Sequence, residues 1–472
     1  MPETITIKKG LDLPVSGTAE LILTDARSIT TYAVKPTDFV GLTPRLLVEE
    51  GYAVKVGEAL FCDKKDERIR FTSPVNGQVK AIVRGEKRKL LEVVVEADYK
   101  SVGSIGSDCK SSPTLPMQTA EEIKAAMLQC GLWPMLRQRP FGTIAKPDDK
   151  PKAIFISAFD SAPLAPDYDF VLQGREMFFT KGIEALTLLT EGLVHVCFRL
   201  RQRISNHFEQ VRHMGLPLRV ETHYINGPHP SGNIGTQIAH IDPINKGEVV
   251  WTINAQDVAV LGEFVTTGVY RPEKVIAVAG PQTNNPHYYR IWAGACMESI
   301  VAEQIPNDNY PKTETTTTNH RVISGNVLSG TQIAADGYIG AYDNMITLLS
   351  EGNQPDFMGW LMPGVRKFSF SKTFFSGFMP KLMRWKFDTN LHGEERPFVV
   401  TGEFEKVFPF DIYPMQLIKA CLIGDIDLME NLGIYEVEPE DFALCEFIDT
   451  SKTDIQTIIR NGLELVRKEN EQ

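Results

Sequence analysis

From about Val40 to Glu96, short alternating runs rich in Val, Ile and Phe are cut by Gly51, Gly57, Gly77 and Gly85. A period of two broken by glycine predicts a small all-β unit with tight turns. The stretch SIGSDCKSSPTLPMQ then marks a boundary, because Ser, Gly and Pro sustain no apolar face. A helix follows. Thr119 with Glu122 makes a capping box, Ile123, Ala126, Met127 and Cys130 share one apolar face, and Gly131 is placed to end it. From Ala153 the pattern changes to strands alternating with helices. AIFISAFD, LVHVCF and LRVETHYI read as strands, with helices around Arg175–Leu189 and Gln202–Met214 between them. That order predicts a parallel sheet with right-handed crossovers, a Rossmann-like layer.

After Pro272 the order is strand, Asn-Pro turn, strand, helix, a polar loop holding Thr315 to Thr318, and strand, as in a β-grasp unit. From Tyr413 onward, PMQLIKACLIGDIDLMENLG and DIQTIIRNGLELVRKEN carry helical apolar periods. The first β unit is phrased like biotinyl/lipoyl carrier domains: V-x-x-G-x-x-L, then a hairpin, then S-P-V-x-G-x-V. The chain is therefore read as α/β and α+β multidomain. An N-terminal strand and biotinyl/lipoyl-like β domain cover 1–103, and a Rossmann-like α/β domain without dinucleotide motif covers 104–270. A β-grasp, SLBB-like domain covers 271–332, and a mixed C-terminal region ending in helices covers 333–472.

Composition narrows the function. The 472 residues are 43% hydrophobic and 23% charged, enough for a sizeable core in about three domains. Lys and Arg number 49 against 60 acidic residues, and a net charge of -11 argues against broad binding to nucleic acid. No apolar stretch nears the ~20 residues of a membrane-spanning helix, and MPETITIKKGLDLPVSG lacks the apolar core of a secretory signal, so an intracellular protein is expected. Seven scattered cysteines form no C-x-x-C pair and nine histidines form no H-E-x-x-H, so no metal ligand set is read from local spacing. That leaves open a site assembled from distant residues.

Few segments carry candidate chemistry. Lys64 or Lys65 stands near the modified lysine of a carrier hairpin, but DERIR lengthens the path to Ser73-Pro74, so covalent lipoylation or biotinylation is the weaker reading. The turn SAFDSAPLAPD has no glycine, and Gly227 to Gly235 matches neither G-x-G-x-x-G nor a phosphate loop. That second segment reads as a structural turn, with His229 as acid or base the weaker alternative. Trp133 to Gly142 is rich in aromatics and arginine. Either its rings cover the adjoining core while the arginines face water, or it rims a planar, carbonyl-bearing ligand. Phe357 to Phe387 holds nine aromatics, six basic residues and no acidic one. It reads either as amphipathic strands with rings packed inward or as a face docked on a partner or a membrane.

ITIKKGLDLPVSG, VKVGEALFCDKK, GLWPMLRQRPF, NGPHPSGNIGTQI, VISGNVLSGT and GWLMPG occur in an order that resembles the A-type subunits of sodium-translocating NADH:quinone reductases, bacterial respiratory sodium pumps. One departure is RLRQRISNHFEQVRHMGLPLR before His223, longer and more basic than the family pattern, so contacts of that helix are not carried over. The resemblance implies a peripheral subunit on the cytoplasmic face of the bacterial inner membrane, with no transmembrane segment or signal peptide. It also implies a scaffold related to the flavin-binding subunit of respiratory complex I. Five other subunits would be its partners, especially the quinone-side membrane subunit, with ubiquinone or menaquinone as the quinone. Flavins and the iron-sulfur centre would sit on those partners, with none bound covalently or by this chain alone. NADH oxidation, ubiquinone reduction and sodium export would belong to the whole translocase. Trp133, Arg137, Arg139 and Phe141 are the quinone-binding candidates. Trp360, Arg366, Lys367, Lys372, Phe374, Phe375, Lys381 and Trp385 are the candidates for docking to partner or membrane. A lipoyl/biotinyl-type carrier, a subunit of the related ferredoxin-oxidising membrane complex and a freestanding dehydrogenase remain the alternatives. The second lacks its clustered cysteines here, and the third lacks its phosphate turn.

Overall fold

The computed structural model describes residues 3–26, 29–98, 116–205, 219–305, 320–352, 358–359, 361–365, 367–378 and 383–471. Most of the linker with Cys109, the threonine run, most of the Gln202–Met214 helix, and Trp360, Arg366 and Lys381 lie outside the described residues.

After β1 (Glu3–Thr6) and β2 (Glu20–Asp25) comes the expected β unit. Its strands are β3 (Thr31–Val34), β4 (Pro44–Leu46), β5 (Ala53–Val54), β6 (Ala59–Asp63), β7 (Arg70–Thr72), β8 (Gly77–Arg84) and β9 (Leu90–Ala97). They pair as two small sheets, β4-β6-β7 and β3-β9-β8-β5. Phe61 stacks on Phe71 between β6 and β7, with ring centroids 4.6 Å apart. Lys64 and Lys65 occupy the loop over 64–69, where Asp63 and Asp66 carboxylates accept from the Lys65 and Arg68 amides and Lys65 Nζ pairs with Glu471 at 2.9 Å. No tight tip presents either lysine.

The helix Ala120–Cys130 carries the expected capping box. Thr119 Oγ1 accepts from the Glu122 amide at 3.3 Å, and Glu122 Oε2 accepts from the Thr119 amide at 3.2 Å. Gly131 ends the helix at φ 81°, the left-handed conformation that glycine adopts without strain. Next come β10 (Arg137–Arg139), β11 (Thr143–Ile144), β12 (Ala153–Ser157), β13 (Leu193–Arg199), β14 (Val220–Asn226) and β15 (Val250–Asn254). With β1 they make one sheet in the order β1-β14-β13-β12-β15-β10-β11. The first five in that order run parallel, while β10 runs antiparallel to β15 and β11. The helices Glu176–Leu188 and Ala255–Thr267 pack closely against each other because Gly182 and Gly262 stand at the contact. A Cβ on Gly182 would collide with the Val258 carbonyl oxygen, and one on Gly262 with that of Phe178.

A fourth, six-stranded sheet joins β16 (Glu273–Ala279), β17 (His287–Trp292), β18 (His320–Ser324), β19 (Thr331–Ile333) and β20 (Met345–Ser350) to β2, in the order β19-β18-β20-β16-β17-β2. The Asn285-Pro286 turn links antiparallel β16 and β17, and the helix Glu298–Gln304 follows as expected. The first two strands pair outside the two small sheets: β1 completes the edge beside β14, and β2 pairs with β17. A period of two specifies a strand but not which free sheet edge supplies its hydrogen bonds.

The C-terminal helices Pro414–Ile423, Ile426–Asn431, Ala443–Ile448 and Ile455–Asn470 enclose their own core, where Phe404, Phe408, Leu417, Phe442, Ile459 and Leu463 are each at most 1% exposed. No described helix is long and apolar enough to cross a membrane. Between Phe357 and Phe387 the strand-pair alternative is not realised among the described residues, where a short 3-10 turn, Phe375–Phe378, is present. Trp385 is buried rather than on a docking face: its amide donates to the Pro14 carbonyl at 2.7 Å and its carbonyl accepts from Ser16, tying the segment to the body. Phe374 is half-buried under Lys367, whose Nζ stands 5.9 Å from the ring centroid. Lys372 and Phe375 are exposed, and Phe378 is 86% exposed.

Candidate functional site

The carboxyl ends of β12 and β15 open into a cavity of about 380 Å³. In parallel α/β sheets this end gathers the strand-to-helix loops, whose side chains and amides are not used up by the ladder. Ser157, Asp160 and Asn254 line the strand ends, and His229 comes from the loop after β14. Asn344 enters from the six-stranded sheet, and Glu438, Glu440 and Arg460 from the C-terminal helical unit. Three parts of the chain distant in sequence thus share one chamber.

The four sequence candidates fall in different places. Trp133 is 0% exposed: its Nε1 donates to the Ala145 carbonyl at 2.8 Å and its ring meets Trp251 edge-on, so it is core and cannot rim a ligand. Arg139 does not face water either. It is 3% exposed, with Nη2 2.6 Å from Glu440 Oε1 and Nη1 3.3 Å from Asp441 Oδ2. Phe141 stands outside the cavity lining, edge-on to Tyr435 at 6.0 Å, and its carbonyl accepts from Arg460 Nη1 at 2.9 Å. Only Arg137 lines the cavity, its guanidinium 5.0 Å from the centroid of the Tyr342 ring, which also lines it. Arginine over an aromatic face is held in place while its N–H groups stay available.

Burial opposes ionisation of Glu440, yet Arg139, Arg137 and Arg460 together hold its carboxyl below the usual range. Asp441 behaves oppositely: burial, only partly offset by Arg139 and reinforced by the Glu440 charge, pushes it up to about 7. Arg139 makes its shorter contact with Glu440, the carboxyl held ionised, and its longer one with Asp441. Burial also raises Asp160 and lowers His229 to about 4, leaving the imidazole neutral near pH 7. Ser161 Oγ accepts from the Gly232 amide at 2.7 Å and lies 3.0 Å from His229 Nδ1. Tyr168 Oη accepts from Asn254 Nδ2 and Asn344 Nδ2, both at 3.2 Å, so its own hydrogen is left to donate.

Sequence reasoning missed Tyr168, Asn254, Asn344 and Arg460, whose local patterns carry no signal. Asp160 sits in the turn SAFDSAPLAPD, where the lack of glycine was the visible feature and the carboxyl was not. The chamber offers a cation, a phenol donor and a flat wall at a neutral imidazole, the set that holds a planar ring with carbonyl acceptors.

Three family models match the chain. The NqrA N-terminal barrel-sandwich hybrid domain matches residues 5–98, the NqrA second alpha/beta domain 118–270 and the NQRA C-terminal domain 275–335. The NqrA protein of Yersinia pseudotuberculosis serotype O:1b, a subunit of the Na(+)-translocating NADH-quinone reductase, is 35% identical over 466 residues, covering 98% of this chain and 100% of that protein. Its counterpart in Neisseria meningitidis serogroup B is 37% identical over 467 residues, again 98% and 100%. That of Rhodopirellula baltica is 36% identical over 471 residues, 98% of each. Among solved structures, an air-oxidized NAD+-reducing [NiFe]-hydrogenase aligns at 14% identity and a TM-score of 0.36 over 75% of this chain and 62% of that one, a likeness too slight to bear on function.

Proposed function

The chain belongs to the NqrA family of Na(+)-translocating NADH-quinone reductase subunits, and from that premise we propose that it is the peripheral, quinone-side subunit of this translocase. The observation that carries the reading is 35% to 37% identity sustained over 98% of the chain. It is a subunit of a sodium-transporting NADH-quinone reductase, and its partners are the other subunits of that complex. The proposal goes further: five companions, attachment at the cytoplasmic face of the bacterial inner membrane, and flavins, iron-sulfur centre and sodium path all on those companions. We read the seven-stranded layer as Rossmann-like and the six-stranded one as a β-grasp of SLBB type. Parallel strand order supports the first, and the hairpin followed by a helix supports the second.

Within this reading the cavity at the ends of β12 and β15 holds a quinone ring. Quinone carbonyls gain charge on reduction, so donors aimed at them matter most. Arg137 and the Tyr168 hydroxyl are the donors, and Tyr342 is the flat wall. Lys367, Lys372 and Phe375 are retained for docking.

The test is genetic and biochemical. Membranes from cells lacking this chain should show no NADH-driven sodium uptake, and a tagged copy should restore it and co-purify with membrane subunits bearing flavin. A tagged chain that restores nothing and purifies alone would sink the reading. For the quinone, a photoreactive analogue should crosslink to residues around Arg137; labelling confined to other subunits overturns that part alone.

A further inference from the structure

Strands β13 and β14 bring two histidines and a glutamate together away from the cavity. His195 stands opposite Glu221 in the parallel register, and His223, two residues on, shares the face of Glu221. We propose that His195, Glu221 and His223 form a binding site for a zinc-class divalent cation, which pins β14 to β13.

Distances support a metal centre. His195 Nδ1 and His223 Nε2 are 2.9 Å apart, and Glu221 Oε2 is 3.7 Å and 3.9 Å from them. Ligands about 2.0–2.1 Å from a tetrahedral zinc stand roughly 3.3–3.4 Å from one another, a value these three separations bracket. Adjustments of a few tenths of an ångström at each side chain reach it. The single hydrogen between the two rings moves to an outer ring nitrogen when the ion takes its place, so binding requires a change of tautomer and no change in ring charge.

The surroundings suit an ion that enters from one side. His195 and His223 are 3% and 6% exposed, and His195 is held against the Phe155 ring at 4.5 Å, whereas the Glu221 side chain is 50% exposed. Two buried imidazoles are therefore fixed by packing, and the carboxylate side is left for entry and for a water as fourth ligand. The nearby cation Lys152 is occupied by Asp242 at 2.8 Å and Glu248 at 2.7 Å, which limits its repulsion of an incoming ion. Two nitrogen ligands with one oxygen select zinc or its transition-metal neighbours over magnesium or calcium. None of the three side chains lines the cavity, so the ion would brace the sheet edge to which β1 is attached, away from any bound ring.

Calorimetric titration of the metal-free, full-length chain should give one Zn2+ per chain and no heat from Mg2+. X-ray absorption of the zinc form should show nitrogen or oxygen at about 2.0–2.1 Å and no sulfur at about 2.3 Å, which separates this site from the free cysteines. Glu221→Gln, a change on a half-exposed side chain that leaves the fold intact, should weaken zinc binding at least about tenfold, and His223→Gln more. Undiminished affinity in both variants, sulfur in the absorption spectrum, or no Zn2+ uptake by the unmodified chain in large excess of metal overturns the proposal. The histidine pair is then a hydrogen-bonded core contact.

Discussion

Arg137 and Arg139 lie two residues apart on one short strand, and a strand's alternation gives them the same face. Their fates differ because the C-terminal unit covers one and leaves the other at the chamber. Arg139→Met strands Glu440 and Asp441 in the interior, and breaking such a buried cluster costs about 3–5 kcal/mol, read as a clear loss of stability in thermal or urea denaturation. Arg137→Met should barely alter stability but raise the apparent KM for quinone several-fold in the intact complex. Trp133→Ala should do the reverse, costing about 3–5 kcal/mol through the cavity it leaves, with quinone KM unchanged once the protein is folded. The carboxyl cluster also makes stability depend on pH. Asp441 is raised from about 4 to about 7, so its contribution is full below its unfolded pKa and is lost as pH rises toward 7. Glu440, held low, contributes above its unfolded pKa and loses that contribution as pH falls through its folded value. Asp441→Asn should flatten the decline in stability between pH 4 and 7 measured by denaturant unfolding. The sequence showed the arginines but not which would be covered, since the covering residues lie some three hundred positions downstream.

At the scale of elements, local signals were reliable wherever the chain's own neighbours complete the structure. The Thr119/Glu122 box needs only residues within one turn, and it is present with Gly131 at the other end. Thr119→Ala should cost about 1 kcal/mol, seen in the urea midpoint, because an amide at the helix start loses its acceptor. Gly182 and Gly262 gave no such signal. Each sits inside a helix, where glycine is ordinarily a weak choice, and only the crossing of the two helices explains them. Gly262→Leu forces a side chain into the Phe178 carbonyl, and failure to recover folded protein is expected, while Leu261→Met in the same helix should be tolerated. The basic, aromatic stretch shows a related gap between pattern and placement. Its composition left strands and a docking face both open, and the described part is tied to the body by Trp385, Phe368 and Phe387 while Phe375 and Phe378 face outward.

For the whole molecule, the outward part of that stretch sets the docking test. Replacing Lys367 and Lys372 with Glu and Phe375 and Phe378 with Ser should reduce recovery of the chain with its membrane companions several-fold at moderate salt, without lowering its thermal midpoint. Unchanged recovery would move docking elsewhere. The chamber belongs to this scale as well, because its walls come from the seven-stranded sheet, the six-stranded sheet and the C-terminal helices at once. No single segment of sequence contains it. The His195, Glu221 and His223 group is likewise a product of strand pairing, since its members were unremarkable until β13 lay beside β14.

Taken alone, the amino-acid sequence determined the kinds of elements and much of their order: the glycine-cut β unit, the capped helix, the strand and helix alternation, and the terminal helices. Hydrophobic period and capping chemistry are local, so they survive without knowledge of the fold. Its ordered motifs also pointed to the family. Tertiary structure decided which edge each of the first two strands joins, which arginine is buried and which reaches the chamber, and which histidines meet. Those outcomes depend on long-range pairing and on desolvation by distant elements, and neither leaves a periodic trace along the chain.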